Sequence, residues 1–325
     1  MQLDYARQEG AIDWDIVRDA EVVQVGVGSG QMLAKTLVRT GIRRYVAIDP
    51  DWVEARNVTS QGYTYEDARC RRPKVEALAR ECKDINPKVD FVPIQADFVT
   101  MSDTQVKALI SPKTLLLMTT DFHPAQARGA LAGLVCGIPV ILASLYREGR
   151  AGEIIFTNPG HTKACYRCIT ATRYDYVAKR KGTGVGNAAG SLPFAAQIVD
   201  ATVGHLTIAL LHKWRGAVNN RFAKWIDALD QRNFIQIRMD PDYRLGNEDI
   251  FGAALGHSQQ VFAFDSIWQS GLPEVKPNCP DCGGGGAVAT KDRHDETTEM
   301  EEHPCGCILQ KGKAHDWSLC GAFWG

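Results

Sequence analysis

Strand-like and helix-like segments alternate over the first 150 or so residues, which predicts an α/β protein with a mostly parallel sheet and helices on both faces. Three observations carry that prediction. The apolar run EVVQVGV breaks into glycines at Gly26, Gly28 and Gly30 just before a helix pattern. TLLLMTTD is apolar until its end at Asp121, as a strand covered on both sides must be. Between them, the charged amphipathic stretch from Pro73 to Cys82 separates the strands RRYVAIDPD and VDFVPIQ.

The remaining elements follow in order. MLAKTLV gives the helix Gln31 to Arg39 its apolar face, and Gly41 ends it. The second strand closes on two aspartates, Asp49 and Asp51. A short helix is expected over 105–111, another from Ala125 to Cys136, and a strand at PVILAS. From Glu148 the character changes. REGRAGEIIFTNPG reads as a hairpin or short β excursion, and YDYVAKRKGTGVGNAAG as a polar surface loop or crossover segment. LPFAAQIVDATVGHLTIALL reads as a long helix buried against the sheet or a second subunit, followed by strands over 233–240 and 260–268. Gly283 to Pro304 is glycine-rich, then acidic, with no apolar face, and is expected to be flexible.

Charge and cysteine usage narrow the function. Thirty-seven basic against 38 acidic residues give a net charge of -1, with no basic surplus for a nucleic-acid backbone. No apolar run is expected to reach the roughly 20 residues that cross a bilayer, and MQLDYARQEG lacks a secretory core, so the expectation is cytoplasmic with no membrane partner. The ten cysteines include two CxxC pairs, Cys165/Cys168 and Cys279/Cys282, which suit a closed four-sulfur zinc site. Cys70, Cys82 and Cys136 stand alone and read as small buried hydrophobes.

The glycine turn by itself leaves the nucleotide open. Gly26, Gly28 and Gly30 spell GxGxG, one residue short of the Rossmann GxGxxG, and Asp49 suits the ribose of NAD or of ATP equally. The next stretch favours ATP. Asn57, Gln61 and then Lys74, near a helix start, supply donors for a triphosphate. A dehydrogenase needs a positioned histidine or tyrosine, whereas His123 and His161 are isolated and read as surface residues.

At this point the chain resembles the ThiF/MoeB/HesA adenylyltransferases of the ubiquitin-activating E1-like superfamily. The signs run in order: VGVGSG, AIDPDWVEARNVTSQ, RPKVEAL with INP, LLLMTTD, IPVILAS, REGRAGEIIF, ACYRC, the long helix and NCPDCGG. The resemblance implies a Rossmann-like fold with a zinc-tied C-terminal section. It divides the chain into an ATP-binding adenylation region (1–164), a crossover, long-helix and zinc-closed region (165–283), and an acidic, cysteine-containing tail (284–325). It also implies ATP-dependent adenylation of the C-terminal glycine of a small β-grasp ubiquitin-like or sulfur-carrier protein, releasing pyrophosphate. A homodimer and a downstream acceptor protein are implied with it.

Residue roles are carried over as that resemblance implies. Asp49 would hold the ribose, Asn57 the phosphate and Mg²⁺ side, Lys74 the phosphates, and Asp121 the Mg²⁺ and acyl phosphate. Gly26, Gly28, Gly30 and Gln61 complete the nucleotide set, and YARQ makes Arg7 the arginine lent to a partner's ATP. Three departures stand out: the short glycine loop, Ser60 where the family has an arginine (with Arg56 nearby), and MTTD in place of DxxD. The chemistry needs no general base, because a terminal carboxylate is already ionised at neutral pH. Ile169 to Leu211 contains no cysteine for a thioester, which leaves Cys305, Cys307 and Cys320 in the tail, so the reading is adenylation without an enzyme-borne thioester. The alternatives are a peptide or small carboxylate substrate, or a catalytically weakened scaffold; an NAD dehydrogenase ranks third.

Overall fold

The computed structural model describes residues 3–180, 191–217, 219–229, 231–240, 243–244, 249, 263–265, 274–286, 300–302 and 308–310. Its main sheet contains β1 (Glu21–Val25), β2 (Arg44–Ile48), β3 (Asp90–Ile94), β4 (Thr114–Met118), β5 (Val140–Leu145), β6 (Ala151–Thr157), β7 (Phe234–Arg238) and β8 (Ala263–Asp265). The order is β3-β2-β1-β4-β5-β6-β7-β8. The first five are parallel, and the last three extend the sheet antiparallel. The stretch expected as a hairpin or short β excursion supplies the turn at Arg147–Gly149 and one strand, β6, which pairs antiparallel with β5.

Helices cover both faces. Val22, Leu115 and Leu117 point to a core shared with α2 (Gln31–Arg39), α5 (Lys74–Ile85) and α10 (Pro193–Trp214). Val23, Val25, Leu116 and Met118 point the other way, toward α6 (Asp103–Ala108) and α7 (His123–Cys136). This alternation along strands with no polar face is what two-sided burial demands. β4 is buried at every position.

Several expectations need correction. α10 is long and apolar enough to cross a membrane by length and composition, contrary to the expectation that no run reaches that size. Here it packs across β5 and β6 and against α2 and α11 (Arg221–Leu229), so its apolarity is used by the core. The stretch expected as a polar loop begins inside α9 (Ala171–Arg180); its remainder lies outside the described residues. Of the acidic segment expected to be flexible, residues 287–299 and 303–304 lie outside the described residues, while Met300–Glu302 form β9, paired antiparallel with β10 (Ile308–Gln310). Cys82 is buried, but Cys70 is exposed and Cys136 only half-buried, so the buried-hydrophobe reading fails for Cys70.

The chain order reverses between β1 and β4, whose carboxyl ends therefore diverge into a crevice. A fully buried glutamine fixes its floor. Gln24 Nε2 donates to the Gly30 carbonyl at 2.9 Å and to Thr119 Oγ1 at 2.7 Å, while Tyr45 donates its hydroxyl to Gln24 Oε1 at 2.5 Å. Thr119 Oγ1 in turn donates to the Gly26 carbonyl at 2.6 Å. One amide thus joins β1, β2, the glycine loop and the residue just past β4. Gln24→Leu keeps similar volume but leaves the buried Tyr45 hydroxyl without its acceptor and takes a donor from the Gly30 carbonyl and Thr119, and urea unfolding should show a loss of about 1–3 kcal/mol.

Candidate nucleotide site

The crevice opens into a cleft of about 640 Å³. Gly26, Gly28, Gly30, Asp49, Asn57, Gln61, Lys74 and Asp121, the eight nucleotide-side residues singled out from the sequence, all line it. Each is delivered by a different local device. Gly26 has φ +85°, and a Cβ there would sit 2.9 Å from the Thr119 carbonyl oxygen, so only glycine lets the turn close against the end of β4. Gly30 is the N-cap of α2, which directs that helix's N-terminal N–H groups toward the cleft.

Asp49 follows β2 and is 6 % exposed. Its carboxylate accepts from the Val27 N–H at 2.8 Å and the Asp51 N–H at 2.9 Å. Burial pushes its carboxyl above the usual carboxylate range, against the opposing pull of Lys74 and of those two N–H groups. Asn57 lies on α3 (Ala55–Ser60), and its Oδ1 is taken by the Glu54 N–H at 2.8 Å in a capping box. The amide NH₂ is what Asn57 has left for a ligand. Gln61 presents a buried Oε1 without a hydrogen-bond partner among the described residues.

Lys74 is the first residue of α5, and its side chain is only 7 % exposed. Backbone bonds from Val53 N–H to the Arg72 carbonyl and from Lys74 N–H to the Asp51 carbonyl stitch its strand exit to the helix start. Its Nζ donates to Asp51 Oδ2 at 2.8 Å, and the Asp51 side chain is 63 % exposed. A buried ammonium thus rests on a carboxylate that water can take over once a phosphate arrives. Asp121 faces the cleft just past β4; burial raises its carboxyl, and the Lys74 charge pulls it back down. Lys74 therefore acts electrostatically on both Asp49 and Asp121, across the mouth of the first turn.

Ser60 turns its hydroxyl onto the Arg56 carbonyl at 2.7 Å and offers no positive charge. Arg56 lines the same cleft, with its guanidinium 2.7 Å from Glu54 and 81 % exposed, a pairing weak enough to exchange. Arg7 does not reach the cleft. It is exposed on a 3₁₀ turn, and its neighbour Gln8 donates to the Arg39 carbonyl, at the end of α2 remote from the glycine loop. The second expected carboxylate before Asp121 is replaced by Met118, a fully buried core residue.

The sequence reading missed Asp51, Thr119, Ser144 and Asp200, which also line the cleft. Asp51 was visible as the second aspartate of DPD, and Asp200 as the lone acid of an apolar helix. His123 is corrected too. It is 2 % exposed at the start of α7, with Nδ1 3.0 Å from the Tyr166 hydroxyl, and burial pulls its imidazole down to about 3. Tyr166 donates to Gln126 Oε1 at 2.8 Å, and Gln126 Nε2 reaches the Thr120 carbonyl and Ser144 Oγ at 2.7 and 2.6 Å. The cleft wall is thereby tied to the first CxxC, whose cysteines flank Tyr166. His161 is half-buried, and its Nε2 has no hydrogen-bond partner among the described residues.

The two CxxC pairs meet. The sulfurs of Cys165, Cys168, Cys279 and Cys282 lie within 4.8 Å of one another, all buried. Cys165 to Cys168, Cys165 to Cys279 and Cys168 to Cys282 are each 3.6 Å apart. A tetrahedron with metal–sulfur bonds of about 2.3 Å has edges of roughly 3.8 Å, so the donor set fits. Gly284, at φ +81°, lets the second knuckle turn where a Cβ would come within 2.2 Å of the Pro277 carbonyl oxygen. The Lys276 N–H donates to Cys168 Sγ at 3.3 Å, and Arg167 pairs with Asp281 across the two knuckles. Cys305, Cys307 and Cys320 lie outside the described residues.

The chain is 28% identical over 155 residues to the SAMP-activating enzyme E1 of Haloferax volcanii, covering 46% of this chain and 53% of that protein. It thus spans about half the length of that curated relative. Among solved structures, E. coli MccB with SeMet MccA superposes with a TM-score of 0.55 at 17% identity, over 83% of this chain and 68% of MccB. E. coli MccB with ATP gives 0.50 at 19% identity, over 62% and 58%. SeMet PaaA gives 0.50 at 18% identity, over 62% and 67%. At such identities the likeness is one of fold. The model of the ThiF family matches residues 6–245, and the chain belongs to that family.

Proposed function

We propose that the protein uses ATP and Mg²⁺ to adenylate the C-terminal carboxylate of a peptide or small protein, releasing pyrophosphate. The observation that carries this is the convergence of Lys74, Asp121, Asp49 and the glycine loop on one cleft at the β1/β4 crevice. The acidic donors present suit a hard cation, and Asp121 would hold Mg²⁺, which supplies positive charge beside the reacting phosphate when bound. The chain's own residues do the rest. Loop N–H groups at the start of α2 bind phosphate oxygens, and Lys74 leaves Asp51 to neutralise charge that grows on the departing pyrophosphate. Asp49 keeps its carboxylate oriented through two backbone donors and receives the ribose hydroxyls.

Two substrate classes have support. The ubiquitin-like glycine terminus expected from the motifs is supported by similarity to the SAMP-activating enzyme E1. The peptide alternative is favoured by the longer coverage of MccB, whose structures carry ATP in one case and MccA in another. In either case a second copy of the chain would be the source of Arg7 for the cleft, and the activated acyl group would pass to a separate acceptor. Zinc on Cys165, Cys168, Cys279 and Cys282 would be structural, since four thiolates leave no open position.

ATP–pyrophosphate exchange, assayed with peptides ending in a free carboxylate and with a Gly-Gly-ending carrier, tests the function. Exchange should depend on one of those classes and fall by about 10²-fold or more in Lys74→Ala and Asp121→Ala. Exchange that ignores both substitutions would refute the assignment. For the metal, elemental analysis should find one zinc per chain, and a strong chelator should lower the Tm; a metal-free protein with the same Tm would refute the site.

A further inference from the structure

Asp200 is the lone acidic residue of α10, an otherwise apolar helix, and it is 9 % exposed. The backbone N–H of Leu33, in the first turn of α2, acts on its carboxyl and favours the charged form. Its Oδ2 is buried with no hydrogen-bond partner among the described residues, although Asp200 lines the nucleotide cleft beside Val199 and Ala196. A buried carboxyl oxygen left unpaired is costly, and in a native protein it calls for an explanation. Its place is informative. Asp200 meets α2 at the end where a phosphate is expected, and the glycine loop and Lys74 stand in the same cleft.

We propose that Asp200 contacts the bound nucleotide as a neutral acid, donating a hydrogen bond from its unpaired oxygen to a phosphate oxygen seated at the N-terminus of α2. This rests on the cleft being the ATP site. Burial pushes the Asp200 carboxyl up to about 8, with the Leu33 N–H opposing, so the proton is present at neutral pH. An ionised Asp200 would instead repel the triphosphate. Among the described residues, the ionisable groups facing the same cleft are Asp49, Asp51, Arg56, Lys74 and Asp121, and Tyr45 of β2 is the further group that feels the Asp200 charge.

The test is equilibrium titration of MgATP and of adenosine into the full chain at about pH 7 and about pH 9, both above the last phosphate ionisation near 6. Wild-type affinity for MgATP should fall by about tenfold between them while adenosine binding holds steady. Asp200→Asn should bind MgATP alike at both pH values, because its amide still donates, and Asp200→Ala should bind weakly at both. The proposal is overturned if Asp200→Asn follows the wild-type pH profile, or if adenosine loses affinity in step with ATP. The wild-type comparison of the two ligands stands even if a variant misfolds. Loss of ATP binding at both pH values would sink the cleft assignment itself, whereas pH-independent ATP binding would sink only the role of Asp200.

Discussion

The buried amide of Gln24 is the constraint on which the site depends. A polar side chain in the middle of an apolar sheet is tolerable only when every group it offers is paired. Here the pairing runs outward to β2 through Tyr45, to the end of β4 through Thr119, and to the glycine loop through the Gly30 carbonyl. The loop therefore cannot relax toward β4 and close the crevice. Its one-residue shortening relative to GxGxxG is accommodated because Gly26 takes a left-handed turn tight against Thr119.

On that fixed floor, charge is arranged economically. One buried ammonium, Lys74, faces Asp49, Asp51 and Asp121, and rests on Asp51, whose side chain is well exposed. That is an arrangement of low cost in the empty state, since the pair keeps contact with water on the Asp51 side. A triphosphate with its cation would reverse the local balance and release Lys74 from Asp51. The arginine absent at Ser60 is the visible loss, and Arg56, held only by an exposed contact with Glu54, is the guanidinium within the cleft lining.

Much of this was legible in the sequence, for definite reasons. Strand and helix alternation, the glycine turn and the aspartates at strand ends are local patterns, and local patterns survive folding. The four cysteines were legible because paired CxxC spacing constrains geometry before any fold is known. What escaped needed long-range contacts. Gln24 reads as a blemish in a strand until Thr119 and Gly30 close on it, and Asp200 as a blemish in a helix until α10 crosses α2. His123 was misjudged because its burial comes from Tyr166 and Tyr174, more than forty residues away in the chain. α10 was misjudged because Gln197, Asp200, Thr202 and His205 interrupt its apolar run in the sequence, whereas the helix as a whole is apolar and packs on β5 and β6.

The central claim is that a triphosphate binds over the first turn of the sheet. Its most direct test is competition between ATP and NAD for the purified chain, with Gly28→Val as the blocked form, since a side chain there would press on Gln61 in the cleft. The account predicts one saturable ATP site per chain that NAD fails to displace and that Gly28→Val loses while keeping its fold. Saturable NAD binding in place of ATP, or ATP binding undiminished in Gly28→Val, would contradict it.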